Sequence, residues 1–201
     1  PQMSYNEVFQ MADSGAKVIH PRAVEYAMNG NIPLVIKNTF TDEPGTYIIQ
    51  KQKQMSDKSS NHIITSIAHK NDRVQFTIQN HGECDKNLLD DIAKENISID
   101  LINIFPYYKV FTIDKAYQSQ LEQLLRLNQH AYSLIGNCSK VTVIGERMTG
   151  VPGVMARIVK ACQQAHIEIL QTADSLTTIA CLIRETDVAQ AITLLHEEFN
   201  L

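Results

Sequence analysis

From residue 72 onward the chain sets out one order of elements and then starts it again about seventy residues later. A duplication of this kind commits the chain to two copies of one small layered unit. The first copy opens at 73–78, where Val74, Phe76 and Ile78 alternate with polar residues, the period of a half-buried strand. A loop at 79–86 leads to a helix over 87–96. Strands at 97–104 and 109–113 follow, then a helix from Asp114 carrying Leu121, Leu124 and Leu125, then a short strand at 131–135. The order is βαββαβ. The second copy restarts with a strand at 140–145. A loop at 146–151 precedes a helix bearing Val154, Ile158, Val159 and Cys162. Strands at 166–172 and 177–183 come next, then a helix from Glu185 with Val188, Ile192 and Leu195. Ile97-Ser98-Ile99-Asp100 falls opposite Ile167-Glu168-Ile169-Leu170.

The second copy stops at its second helix and lacks a closing strand. Residues 62–69 read as a strand with no hairpin partner beside it, so they are the natural donor. The expected organisation is a first unit at 72–136, inserted into a discontinuous second unit made of 62–71 plus 137–201, in an α+β fold.

Residues 1–50 have a different character. Ser4-Tyr5-Asn6-Glu7 is a capping box, in which the serine takes the Glu7 N–H and the glutamate reaches back. The helix it starts puts Val8, Met11 and Ala12 on one face and meets Gly15 as its stop. His20-Pro21 opens a second helix, because proline is tolerated in a first turn, and Asn29-Gly30 ends it. Residues 33–37 and 46–49 read as strands around the turn Asp42-Glu43-Pro44-Gly45. Two helices and two strands are too few to close a core, so 1–50 are expected to be the tail of an α/β domain. The opening Pro1 fits a piece of a longer chain. Residues 51–61 are polar and rich in Ser and Lys, the composition of a linker.

Composition narrows the function. With 18 Lys+Arg against 22 Asp+Glu the formal net charge is −4. That is the wrong sign for a surface that tracks phosphates or anionic lipid. No apolar run approaches the ~20 residues of a spanning helix, and no signal-peptide pattern is present. The four cysteines at 84, 138, 162 and 181 form no CxxC pair. They read as buried, reduced thiols of a cytoplasmic protein. Seven histidines are scattered without a ligand pattern, so no metal site is expected. Nucleophile-elbow, P-loop and dinucleotide fingerprints are all missing.

The remaining chemistry sits at the strand-to-helix corners of the two units. In the second, Met148-Thr149-Gly150-Val151-Pro152-Gly153-Val154 joins a strand to a helix start, where exposed N–H groups attract a carboxylate. An amino acid brings such a carboxylate, and its ammonium needs an acceptor. Asp100, on the first unit's second strand, is of the right type. The plainer alternatives are a tight turn for the glycine corner and a solvated strand-end charge for Asp100. His130, His166, His196 and the acidic pairs Asp90-Asp91 and Glu197-Glu198 read as surface.

These residues resemble a known family. SYNEVFQMADSGAKVIHPRAVEYAMNGNIPLVIKNTFTDEPGTYI is similar to the end of the kinase domain of aspartokinases, above all in GAKVIHPRA and DEPGT. HIITSIAH, NISIDLI, MTGVPGVMARIV, DSLTTIACLIRETD and LHEEF resemble that family's tandem ACT regulatory domains, which are ferredoxin-like. INIFP and ILQTADSLTT are most like the diaminopimelate-sensitive type. The resemblance implies a parent enzyme that phosphorylates the β-carboxylate of aspartate with MgATP, on the way to lysine, methionine and threonine. Lys17 matches the lysine that contacts ATP. The family's KFGG-type segment and aspartate-binding residues have no counterpart here, so the chain alone is expected not to catalyse, and no catalytic residue is assigned.

What the resemblance leaves is a sensor that binds an end-product amino acid, meso-diaminopimelate or lysine, and forms homodimers. The implied effector contacts are Asn80, His81, Gly82, Cys84, Asp85, Asn87 and Leu88 at the first corner. Asp100, which matches the effector-contacting acid, and Asn103 follow on the next strand. Met148, Thr149, Gly150, Val151, Pro152, Gly153 and Val154 form the second corner, with Asp174 and Ser175 beyond it. The family's Asp-Lys-Pro-Gly loop is replaced by His81–Asn87 in the first unit, whereas the second retains Pro152-Gly153. The alternative is a dimerisation segment with no effector.

Overall fold

The structure is a computed structural model that describes residues 1–50, 64–79, 87–145, 148 and 151–201. The expected linker at 51–61 and loop residues 80–86, 146, 147, 149 and 150 lie outside them.

The front segment runs β1 (Gln2–Ser4), α1 (Tyr5–Asp13), α2 (Pro21–Asn29), β2 (Leu34–Ile36) and β3 (Thr46–Ile49). The capping box is present in full: the Glu7 N–H donates to Ser4 Oγ at 3.2 Å and the Ser4 N–H to Glu7 Oε2 at 2.7 Å. His20 caps α2 through its side chain, with Pro21 in the first turn as expected. β1, which the sequence reading did not include, runs parallel to β3, and β2 pairs antiparallel on its other side. The segment buries only a small apolar cluster, and Val18, Tyr26, Ile32 and Phe40 stay exposed. Tyr5, Val8, Val24, Ala27 and Ile48 are buried together. The added strand gives the two helices a sheet face to cover.

Beyond it a single six-stranded sheet has the order β5-β6-β4-β7-β9-β8. Its two central strands are long. β4 (Ile64–Gln79) takes in both the described part, 64–69, of the donor strand expected at 62–69 and the first strand of the first copy. β7 (Tyr132–Gly145) takes in the last strand of the first copy and the first of the second. They pair antiparallel from Ile64↔Gly145 to Ile78↔Tyr132, with register shifts around 70–75. Asp72 on β4 and Asn137 on β7 have φ of 58° and 52°, so each strand turns within its own length. The sequence reading breaks both strands at the polar residues near 70 and 137. Ladder pairing carries each strand through, and a left-handed residue absorbs the bend.

Each half then follows the same path. In the first, α3 (Leu88–Lys94), β5 (Ile99–Ile104), β6 (Tyr108–Asp114), a 3-10 turn and α4 (Gln118–Leu127) lie between β4 and β7. In the second, α5 (Val154–Gln164), β8 (Gln171–Asp174), β9 (Thr178–Arg184), a 3-10 turn and α6 (Val188–Phe199) follow β7. Details repeat as well. Asn96 and His166, seventy positions apart, have φ of 56° and 57°. The Ile97 N–H donates to the Ile92 carbonyl as the Ile167 N–H does to Cys162. Some boundaries shift. β8 begins at Gln171 rather than 166, because the chain leaves α5 through left-handed His166 and first buries Ile167 under the helices. Asp114 and Arg184 open the 3-10 turns, so α4 and α6 start at Gln118 and Val188.

Helices cover one face of each half. Val74, Phe76, Ile78, Phe111 and Ile113 pack under Leu88, Ile92, Leu121 and Leu125. Phe76 and Phe111 are direct register partners, stacked 6.1 Å apart. Val141, Val143, Ile179, Cys181 and Ile183 pack under Ile158, Cys162, Ala191 and Leu195. The uncovered faces curl towards each other and bury Leu101, Cys138, Ala180 and Leu182. α1 packs on β4 and β7. Cys138, Cys162 and Cys181 are buried free thiols, and burial pushes Cys181 up to about 12, with Cys162 nearby adding to it.

At the bend, Arg73 on β4 pairs with Asp114 at the end of β6, and the Ala116 N–H donates to Asp114 Oδ1 at 3.0 Å. Partial burial raises the Asp114 carboxyl, but the Ala116 N–H and the Arg73 guanidinium outweigh it and hold it below the usual carboxylate range. A depressed carboxylate contributes stability above its unfolded value and loses it as pH falls through the folded one. Replacing Arg73 with Met, followed by urea unfolding from pH 7 to pH 3, is expected to lower stability at neutral pH and to flatten the acid decline.

Candidate functional site

The corners of the two halves differ in what they offer a ligand. In the first, α3 has seven residues, and Asn87 before it makes no side-chain cap. Leu88 is fully buried in the core, so its side chain is committed to packing rather than to a ligand. Asp90 and Asp91 occupy the first turn, a placement that opposes a carboxylate. Asn80, His81, Gly82, Cys84 and Asp85 lie outside the described residues.

In the second corner, Gly153 is the N-cap of the eleven-residue α5, with φ of 95°, and none of the described residues lies within 4 Å of where a Cβ would stand. No acidic residue occupies the first turn of α5. Pro152 and Gly153 are exposed, and Val151 is half-buried against the core. Met148 and Val154 point into that core. The Met148 N–H donates to the Leu176 carbonyl at 3.0 Å, tying the corner to the β8–β9 hairpin. Thr149 and Gly150 are outside the described residues. Asp174 is exposed at the end of β8. Ser175 holds the hairpin turn: its Oγ accepts from the Thr177 and Thr178 N–H groups at 3.3 and 3.1 Å.

Asp100 and Asn103 are brought against the second half. β5 shifts register on β6 between Ile99 and Ile102, a bulge that re-aims side chains. The solvated strand-end charge is therefore not what forms. Lys140 Nζ on β7 donates to Asp100 Oδ1 at 2.6 Å, with the side chains 12% and 22% exposed. Asn103 Oδ1 accepts from Gln171 Nε2 on β8 at 2.7 Å, and Gln171 Oε1 accepts from Gln75 Nε2 on β4 at 3.1 Å. A chain of amides therefore crosses between the uncovered faces and joins the sheet's opposite edges, β5 and β8. The sequence reading missed Lys140, Gln75 and Gln171. Their only signal is a polar residue at an alternating position of an otherwise apolar strand, which reads as solvent-facing until the second face proves covered.

Lys17 lines an open groove of about 880 Å³. Gly15, Ala16, Lys17 and His20 form one wall and His69, Lys70, Asn71 and Asp72 at the bend of β4 form the other. The walls meet at Gly15, whose φ is 114° and where a Cβ would stand 2.1 Å from the His69 carbonyl oxygen. Lys17 and Lys70 give the groove point charges suited to phosphate. Among the described residues no three His, Cys, Asp or Glu side chains converge on a metal position. No helix among them is long and apolar enough to cross a membrane.

Residues 133–197 match the family model of the ACT domain. Over its whole length the chain is 34% identical to aspartokinase 1 of Bacillus subtilis, of which it covers 51%. The chain is thus similar to aspartokinases along its whole length, with the ACT-domain match confined to 133–197. Among solved structures, the aspartate kinase of Clostridium acetobutylicum has the same fold, with a TM-score of 0.86 over 98% of this chain and 48% of that one at 18% identity. E. coli aspartokinase III in complex with lysine and aspartate, its T state, gives 0.74 over 98% and 46% at 20% identity. The chain spans about half the length of the curated relatives it matches.

The amide chain has a measurable part in holding the two faces together. Replacing Gln171 with Leu strips Asn103 of a donor and, among the described residues, leaves the Gln75 side chain with the Leu170 carbonyl at 3.4 Å alone. Buried polar groups left without partners cost about 1–3 kcal/mol, and a loss of that size is expected in urea unfolding of Q171L.

Proposed function

We propose that this chain is the regulatory portion of an aspartokinase, a sensor that binds an end-product amino acid and so restrains aspartate phosphorylation by the intact enzyme. The observation that carries the reading is the end-to-end match to an aspartokinase in a chain with an ACT domain at 133–197. On this reading both halves of the sheet are ACT domains. The first is 72–136 and the second is 62–71 plus 137–201, a division supported by the pairing of residues 64–70 with 140–145. The effector is meso-diaminopimelate or lysine, of the diaminopimelate-sensitive type suggested by INIFP and ILQTADSLTT. The lysine-bound E. coli relative supports the chemical class.

In the intact enzyme Lys17 would contact the phosphates of ATP, which with Mg supplies the transferred phosphoryl group. The groove around Lys17 suits that role, because it is open and carries a second cation, Lys70. The chain alone is not expected to form aspartyl phosphate. Effector binding favours one arrangement of a homodimer, and the bend of β4 that lines the groove relays the change. A coupling of about 1–3 kcal/mol is enough for strong inhibition. The dimer surface fits the β5–β6 hairpin, where Ile104 is 61% exposed and Tyr107 81%, with Ile102 and Phe105 beside them.

Isothermal titration of the chain with meso-diaminopimelate, lysine and threonine tests the sensor. Saturable binding of at least one is expected, and binding of none favours the dimerisation-only reading. Sedimentation tests the surface: Ile104→Lys is expected to turn a dimer into a monomer with unchanged circular dichroism, and a dimer that survives the substitution places the contact elsewhere.

A further inference from the structure

The groove between the front segment and the bend of β4 takes one wall from each. Lys17 and His20 come from the front segment, His69 and Lys70 from the strand. At about 880 Å³ the groove has the size of a small-molecule site. Its charge is one-sided. Among the described residues, the side chains of Lys17 and Lys70 have no hydrogen-bond or ion-pair partner, and Asp72 is the single acid of the lining. Lys70 stands opposite Lys140 in the β4–β7 ladder, and of the two only Lys140 is neutralised, by Asp100. Lys70 adds to the field that lowers the Asp114 carboxyl, but that carboxylate is bonded to Arg73.

The surroundings hold these charges in place. Ser139 Oγ donates to Asn71 Oδ1 at 2.7 Å and Arg73 Nε to the Asn71 carbonyl at 3.0 Å, so the residue after Lys70 is fixed from two sides. On the other wall α2 starts at the groove. His20 is its N-cap, Pro21 lies in its first turn, and no acid occupies that turn. The positive end of the helix therefore reinforces the lysines. His20 Nδ1 accepts from the Arg22 N–H at 3.2 Å, which leaves Nε2 as the nitrogen that carries a proton and can donate. Two ammonium groups, an imidazole donor and a helix N-terminus make an anion-binding surface on a chain whose net charge is −4.

We propose that Lys70 is a phosphate-binding residue, and that the groove holds the polyphosphate tail of a nucleotide between Lys17 on one wall and Lys70 on the other. The part of Lys17 rests on the reading given above; the part of Lys70 makes the sensor sheet a contributor to the nucleotide site. A polyphosphate carries several charges along one short chain, so separate oxygens can accept from separate walls. A single carboxylate has one charge to share between them. The ligand held in this way bridges the front segment and the sheet. A movement of the β4 bend then changes phosphate affinity directly, by withdrawing Lys70, with no change required at Lys17.

The experiment is calorimetry of the full chain at low ionic strength, where such charges are least screened, with sodium tripolyphosphate, ATP and adenosine. Wild type is compared with Lys70→Met, Lys70→Arg, Lys17→Met and Lys160→Met, each checked by circular dichroism and thermal melting. Lys160 is exposed on α5, outside the groove, and its loss changes the net charge by the same amount. Tripolyphosphate and ATP are expected to bind wild type, and adenosine is not. Affinity for both is expected to fall about tenfold in K70M and in K17M, the size of one charge-assisted hydrogen bond. It is expected to stay within a few-fold in K70R and to be unchanged in K160M. Unchanged polyphosphate binding by a folded K70M overturns the proposal. So does an equal loss in K160M, which would mark a response to net charge alone, and so does adenosine binding as tightly as ATP. Failure of tripolyphosphate to bind wild type overturns it too, and the sensor reading then stands or falls separately on the amino-acid titration.

Discussion

The pairing of β4 with β7 is the interaction on which the rest of the molecule depends. Each strand is long enough to serve both halves, and they lie side by side at the centre of the six-stranded sheet. Every other strand of that sheet is added outward from them, β6 and β5 on one side and β9 and β8 on the other. The bend each strand makes near its middle decides which way the uncovered faces look, and they look at each other. Without it Leu101 and Leu182 would face water, and Asp100 would have no lysine across from it.

The repeat was the most legible part of the fold. Alternation in 73–78 and helical spacing in 154–162 mark the layers, and the missing last strand of the second copy points to a donor ahead of the first. The residues that join the copies were harder to read. Gln75 falls between Val74 and Phe76 on an alternating strand, and Lys140 stands at the polar start of another. On a one-faced sheet both would be solvated. Their burial follows from the opposite face being covered by the other half, a relation between residues as far apart as Gln75 and Gln171 that no local pattern contains.

The two corners carry the same lesson for the site. Sequence spacing makes them equivalent, and the identity of a few residues makes them unlike. Gly153 lets the second corner turn into α5 through a left-handed residue with no described residue crowding its Cβ position. The first corner enters a shorter helix with acids in its opening turn. Leu88, Met148 and Val154 lie at positions that could face a ligand, but each is apolar and next to a core, and burial claims them.

The contact between Gly15 and the His69 carbonyl has a mechanical meaning. The front segment touches the sheet there backbone to backbone, with no side chain in between to bend or change rotamer. Lys17 comes two residues after that contact and Lys70 one residue after His69. A shift of the strand at this point meets the front segment at its backbone, beside the groove that both lysines line.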